Sequence, residues 1–336
     1  MSGLSIGELS RNTLMSQQNR QIKNKIEALS EQMVTGQVKD ITKHLNGNFH
    51  ELADIEHRLK ALKHYKQSMQ QAASILNVTQ LSLKNIHDRT QTLHNKLRQV
   101  DQLYNTSSPT ALKTESRAVF DAAISSLNTQ SSGRSLFAGA GHEKPALATA
   151  KDIYSKLKTA ITGMTNANNI AVAVETWFNG SGGGFETSGY LGTKIKSGPI
   201  QLAKGQDADW PVKADDAKLR PTLQFLALAA LALDPDITIP QAERLALVKK
   251  STAGLDQNKN DLIDLQANIG SLRARITRMQ TSQSFEKTSL ELAKTALIGV
   301  DQYEITTRFE AANNQLKLLY SMTSRLSKLS LVDYLR

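Results

Sequence analysis

The chain has 336 residues, enough for two or three domains and a sizeable core. It contains no Cys, which excludes a disulfide framework, a thiolate metal site and a cysteine nucleophile. Its net charge of +10 is spread as +6 over 1–144, +2 over 145–254 and +2 over 255–336, without a dense basic run. That pattern describes a mixed, solvated helical surface rather than a nucleic-acid footprint, so no nucleic-acid partner is expected.

The opening "MSGLSIGELSRNTLMSQQNR" has no basic segment followed by an apolar one, so no cleaved signal peptide is expected. Ile22, Ile26, Leu29 and Met33 step by four, three and four, which places them on one helix face. Gly36 supplies a stop signal, and Asn46-Gly47 a turn. From 50 to 104 the apolar residues are nearly heptad: Leu52, Ile55, Leu59, Leu62, Met69, Leu76, Leu83, Ile86, Leu93, Leu97, Val100 and Tyr104. Lys66, Thr79 and Thr90 are polar gaps in that stripe. At 1.5 Å per residue this predicts a helix roughly 80 Å long, and such a repeat needs partner helices. Ser108-Pro109 ends it, and another helix is expected over 110–130.

The region 145–254 differs, since it holds six of the seven prolines and the glycine-rich "WFNGSGGGFETSGYLG" at 177–192. The "GSGGG" run reads as a flexible surface turn, and 189–214 as short strands and turns. Helices are expected over 218–233 and 240–252, the second starting near Pro240. The stretch 223–235 is the most apolar in the chain, but it falls short of a membrane span, so no membrane insertion is expected. From 255 on the helical stripe returns through Leu262, Leu265, Ile269, Leu272, Ile276 and Met279. It continues through Leu290 and Leu297 to Ile305, Phe309, Ala312, Leu316, Leu319 and Leu326, with a kink expected near Gly299.

The fold class expected is therefore mainly α: a long antiparallel helical bundle or coiled-coil rod formed by both chain ends, with a small α+β insert in the middle. The divisions expected are terminal helices over 1–45 and 300–336, a helical rod over 46–144 and 255–299, and the insert over 145–254.

No catalytic, cofactor-binding or metal site emerges, and the chain offers no enzyme signal. His50, His57 and His64 are seven apart, as are His87 and His94. Two helical turns is about 10 Å, too far for rings to share one metal, so these read as solvated polar-face residues. "HELADIEH" is not a zinc-protease motif, and the glycines at 180–184, 139 and 141 match no phosphate loop or dinucleotide fingerprint. Asn179-Gly180-Ser181 is a glycosylation acceptor in form only. Asp207, Asp209, Asp215 and Asp216 cluster in the insert, but read as turn and cap residues.

Two terminal helices alone expose much of their stripes. A fully buried Leu contributes about 1.5–3 kcal/mol, so copies from neighbouring subunits would complete the burial, in a ring or an open helical array. The residues expected at that inter-subunit seam are Ile22, Ile26, Leu29, Met33, Leu316, Leu319, Leu326, Leu329, Leu331 and Leu335.

Three stretches carry a family likeness. "IEALSEQMVTGQVKDI" (26–41), "SSGRSLFAGAG" (131–141) and the closing "RLSKLSLVDYLR" (325–336) resemble elements of the flagellin superfamily, in its order and at both chain ends. The opening lacks the Ile-Asn-Thr-Asn-like segment of filament flagellins, and "LSEQMVTGQVKDI" lacks their Leu-Ser-Ser-Gly-x-Arg-Ile run. Both departures favour the branch of hook-associated protein 3, at the hook–filament junction. "WFNGSGGGFETSGYLG" and "ADDAKLRPTLQFLALAALA" resemble the alphaproteobacterial members of that branch. The resemblance implies a structural protein of the bacterial flagellum that joins hook to filament and nucleates flagellin polymerisation. It implies an extracellular location reached by flagellar type III export, with an export chaperone as partner. The other partners would be copies of the chain in a ring, the hook-side junction protein and flagellin. It also implies that the terminal helices line an inner tube and order only on assembly, and that the insert faces outward. Filament flagellin is the second reading, and a helical type III secreted effector or translocator is the remote one.

Overall fold

A computed structural model describes residues 6–99, 110–195 and 197–334. It is 72% helical. The chain divides into two compact units, Met1–Leu62 with Gln283–Arg336, and Lys63–Ser282. Two long helices, α3 (His50–Leu97) and α8 (Gln241–Ile298), contribute residues to both.

The first unit holds α1 (Ile6–Thr35), the short α2 (Ile41–His44), the beginning of α3, the end of α8, and α9 (Gln302–Tyr334). Helix α1 ends as its sequence dictates: Gly36 adopts φ +67°, a conformation without steric cost only for glycine. Ile55 and Leu62 of α3 are buried with Leu290 of α8, and Leu59 and Leu297 pack beside them. The ion pairs Arg58–Glu286 and Glu56–Lys294, both 2.7 Å, show the two segments running antiparallel.

The second unit is built on one continuous core. Met69, Leu76, Leu83, Ile86, Leu93 and Leu97 of α3 pack with Val119, Phe120, Ile124 and Leu127 of α4 (Thr110–Leu127), and with Leu255, Leu262, Leu265, Ile269 and Ile276 of α8. The near-heptad stripe thus reaches the core as its spacing predicts. Lys66 is exposed, but the other polar gaps, Thr79 and Thr90, are buried, and Thr79 donates its hydroxyl to the Ile75 carbonyl. The end of the helix predicted to 104, with Val100 and Tyr104, lies outside the described residues. His50, His57 and His64 are exposed, but His94 is buried, with Nε2 3.9 Å from Asp256. His87 and His94 are not in register with the first three: the 23 residues between His64 and His87 turn the helix by about 140°, which carries His94 to the packed side of α3.

After α4 the chain forms a two-residue hairpin, β1 (Gln130–Ser131) and β2 (Arg134–Ser135). Its turn, Ser132-Gly133, has positive φ at both residues, the geometry that suits strand twist. Two helices follow in a region where the sequence suggested none: α5 (Ala150–Ala160) and α6 (Ala167–Asn179). Each has a side-chain cap, Thr149 accepting from the Asp152 N–H and Asn166 accepting from the Asn168 and Asn169 N–H groups. The strands expected in the insert are one antiparallel pair, β3 (Ile200–Ala203) and β4 (Gln206–Ala208).

The glycine-rich run begins as the exposed surface turn expected, at Ser181-Gly182, but its end is packed. It leads into a π-helical turn at Phe185–Gly189, and Trp177, Phe178 and Phe185 are buried with ring centroids 4.8–6.2 Å apart. A Cβ on Gly184 would lie 1.9 Å from the Trp177 indole nitrogen, so the glycine is there to let the backbone reach the ring.

Helix α7 (Arg220–Ala232) is buried on nearly all sides, which is why 223–235 is so apolar. No helix among the described residues is long and apolar enough to cross a membrane. The helix expected over 240–252 is the first part of α8, which continues to Ile298 without a break. Gly254 does not end it, because a Cβ there would meet the Phe225 ring at 2.3 Å, and its absence lets α7 approach.

Asp234, after α7, ties the second unit together. It accepts from the Tyr154 hydroxyl (2.8 Å), the Lys158 ammonium (3.1 Å) and, through its other oxygen, the Asp236 N–H (3.0 Å). Burial pushes its carboxyl pKa up, but these three donors outweigh burial and hold it below the usual carboxylate value.

Candidate assembly surface

The first unit places α1 and α9 against each other in antiparallel fashion, with Met15 near Thr323 and Met33 near Gln302. Their seam buries Leu29, Ile305 and Ala312, and Ile26, Met33, Val300 and Phe309 pack against that cluster. The end of the seam is fixed by backbone. Val38 N–H donates to Ile298 O (3.0 Å), and Val300 N–H donates to Gly36 O (3.1 Å). Gly299 is therefore a full break between α8 and α9 rather than a kink. A Cβ there would meet the Thr295 carbonyl oxygen at 2.3 Å. Asp301 then starts α9 by accepting from the Tyr303 and Glu304 N–H groups.

The structure brings together part of the expected inter-subunit set. Ile26, Leu29 and Met33 share the α1–α9 seam, and Leu319 is buried on α9. Ile22 and Leu316 are half-buried. Leu326, Leu329 and Leu331 lie on α9, but their side chains, like all of Leu335, fall outside the described residues.

A second set of apolar side chains on this unit is exposed. Val34 is 85% exposed, Tyr303 83%, Leu318 64% and Met322 61%, with Leu14 and Tyr320 about half exposed. Phe285 (74%) and Leu292 (67%) on α8 add to it. Leu318 and Met322 are one turn apart and stand side by side. The sequence reading passed over these residues because they are off the main stripe. Their signal was their number on two helices that already have a complete seam. Between the helices runs a groove of about 730 Å³, lined by Ile26, Val34, Phe309 and Leu316 and rimmed by Lys23 and Glu27.

The surface is suited to packing rather than to chemistry. It offers apolar area on two helices that already pack against each other. Among the described residues no group of three His, Asp or Glu is arranged to hold a metal.

Residues 252–335 match the family described as the bacterial flagellin C-terminal helical region. Among solved structures, one assigned to a flagellar hook-associated protein from Vibrio parahaemolyticus aligns with a TM-score of 0.51 at 15% identity. The alignment covers 73% of this chain and 95% of that one, a likeness of fold. FlgL from Bacillus cereus aligns with a TM-score of 0.42 at 18% identity, over 72% of this chain and 95% of that one. No curated protein matches the sequence. Over residues 252–335, a quarter of the chain, the sequence is thus similar to the C-terminal helical region of the bacterial flagellins.

Proposed function

We propose that the chain is a structural component of the bacterial flagellum that joins hook to filament, and that it nucleates flagellin polymerisation by packing terminal helices between subunits. One observation carries this reading: α1 and α9 complete a seam with each other and still expose Val34, Tyr303, Leu318 and Met322. Large apolar side chains left exposed along two paired helices favour a protein partner. The flagellin C-terminal region at 252–335 supports copies of this chain and flagellin as those partners. The hook-side junction protein and an export chaperone complete the set. Under this reading the protein works outside the cell, after type III export without a cleaved signal. Residues 1–45 and 300–336 order fully on assembly, when neighbours supply the missing burial and offset the entropy of ordering.

The test is deletion of residues 321–336. The expected outcome is cells with hooks but no filaments, which shed flagellin into the medium, while the purified variant keeps the wild-type melting of its second unit. Full-length filaments on that strain would overturn the reading. Filament flagellin itself is the second reading, favoured by the description of the matching region. Copy number separates the two: a few per flagellum for a junction protein, thousands for a filament subunit.

A further inference from the structure

We propose that a cleft in the second unit binds a small carboxylated sugar. The cleft has a volume of about 220 Å³, room for about one sugar ring. Helix α3 supplies one wall with Ser68, Gln71, Ala72 and Ile75, whose spacing puts them on a single helix face. The opposite side comes from Arg134 on the hairpin, His142, Ser197 and Trp210.

The walls are held by backbone. Ser132 and Gly133 set the hairpin that carries Arg134. Ser135 N–H donates to His142 O (2.9 Å), and Ala140 N–H donates to Ile195 O (3.0 Å). Ser197 donates its hydroxyl to Gly139 O at 3.0 Å, which leaves its oxygen lone pairs for a ligand. A Cβ on Gly139 would stand 2.6 Å from Ile195 O, so this close loop contact requires glycine.

The lining is rich in unused donors. Arg134, Trp210, Gln71 and Ser68 make no side-chain hydrogen bond or ion pair among the described residues. His142 faces the Ser135 carbonyl through Nδ1 at 3.4 Å, which leaves Nε2 over. Among the described residues no carboxylate lines the cleft. A guanidinium without a partner suits a carboxylate, which it grips with two parallel hydrogen bonds. The amide and hydroxyls suit a ligand's own hydroxyls. The Trp210 indole and Ile75 add apolar surface that suits the C–H groups of a ring and would be wasted on a bare inorganic anion. The ligand class that uses all three is a uronic acid, either free or at the end of an acidic polysaccharide.

The test is ¹⁵N NMR of the full chain, which has two indole N–H signals, from Trp177 and Trp210. The protein is titrated separately with glucuronate, tri-galacturonate, glucose and inorganic phosphate. A saturable shift of the Trp210 signal is expected with an acid sugar and not with glucose or phosphate. Arg134→Gln, at an exposed position, should weaken the acid sugar about tenfold or more without lowering Tm, with part of the loss recovered in Arg134→Lys. Binding of either acid supports the proposal, and the tighter of the two identifies the source. Absence of a saturable shift with both acids, an equal response to phosphate, or unchanged affinity in Arg134→Gln would overturn it.

Discussion

The two units bury their apolar residues differently. In the second, the largest fully buried side chains, among them Phe120, Phe137, Phe178 and Phe185, belong to one core fed by α3, α4, α8 and the insert. Its exposed apolar residues, such as Leu81, Val172 and Ile195, lie on different parts of the chain, as on any protein surface. The first unit has only narrow seams, with three buried residues in each of its two clusters. Yet it exposes Val34, Phe285, Leu292, Tyr303, Leu318 and Met322. Units made of the same kind of helix thus differ in whether one chain suffices to cover their apolar faces. The second unit covers its apolar core within one chain, whereas the first leaves exposed the apolar side chains that the proposed function assigns to a neighbouring subunit.

That contrast can be attacked from either side. The largest effect is expected from opening the closed core. Phe137→Ala removes a fully buried ring and should cost about 4 kcal/mol, measured by urea unfolding of the purified chain. A loss under about 1 kcal/mol would show that the second unit is not the tightly packed one. A smaller effect is expected at Asp234. Asp234→Asn removes the charge that Tyr154 and Lys158 share, and should cost about 2 kcal/mol at neutral pH. Because the folded pKa of Asp234 is lowered, its contribution is present above the ordinary value of about 3.9 and is lost as pH falls through the folded value. The wild type should therefore lose stability against Asp234→Asn on acidification below about pH 4, and the two melting curves should converge there. A gap that stays constant down to pH 2 would sink that assignment.

Much of this architecture was legible in the sequence, for identifiable reasons. Leu76, Leu83 and Leu93 recur at helical spacing without Gly or Pro between them, and period alone assigns them to the core. The pairing of the chain ends followed from stripes that needed a partner. The insert was harder to read, because glycine has two uses. Gly36 and Gly133 mark real turns through positive φ. Gly184 and Gly254 instead sit where a Cβ would collide with Trp177 or Phe225, and nothing local distinguishes the two uses. Helices α5 and α6 were missed although Thr149 and Asn166 are good cap residues, because both are short and Gly163 and Gly180 follow them closely, so each segment looks like part of a loop. The assembly surface was half legible. Leu29 and Met33 stood out by periodicity, whereas Val34 and Leu318 become significant only once α1 and α9 are seen to have closed their seam without them.

The most direct test of the central claim is a double substitution on the exposed face, Leu318→Asp with Met322→Asp. Neither residue is buried in the chain, so the purified variant should unfold within about 0.5 kcal/mol of wild type. In cells, the two carboxylates would have to be desolvated in an inter-subunit contact, and filament growth should fail while hooks still form. The account predicts unchanged unfolding together with lost filaments by electron microscopy. Normal filaments on cells carrying the double variant would contradict it.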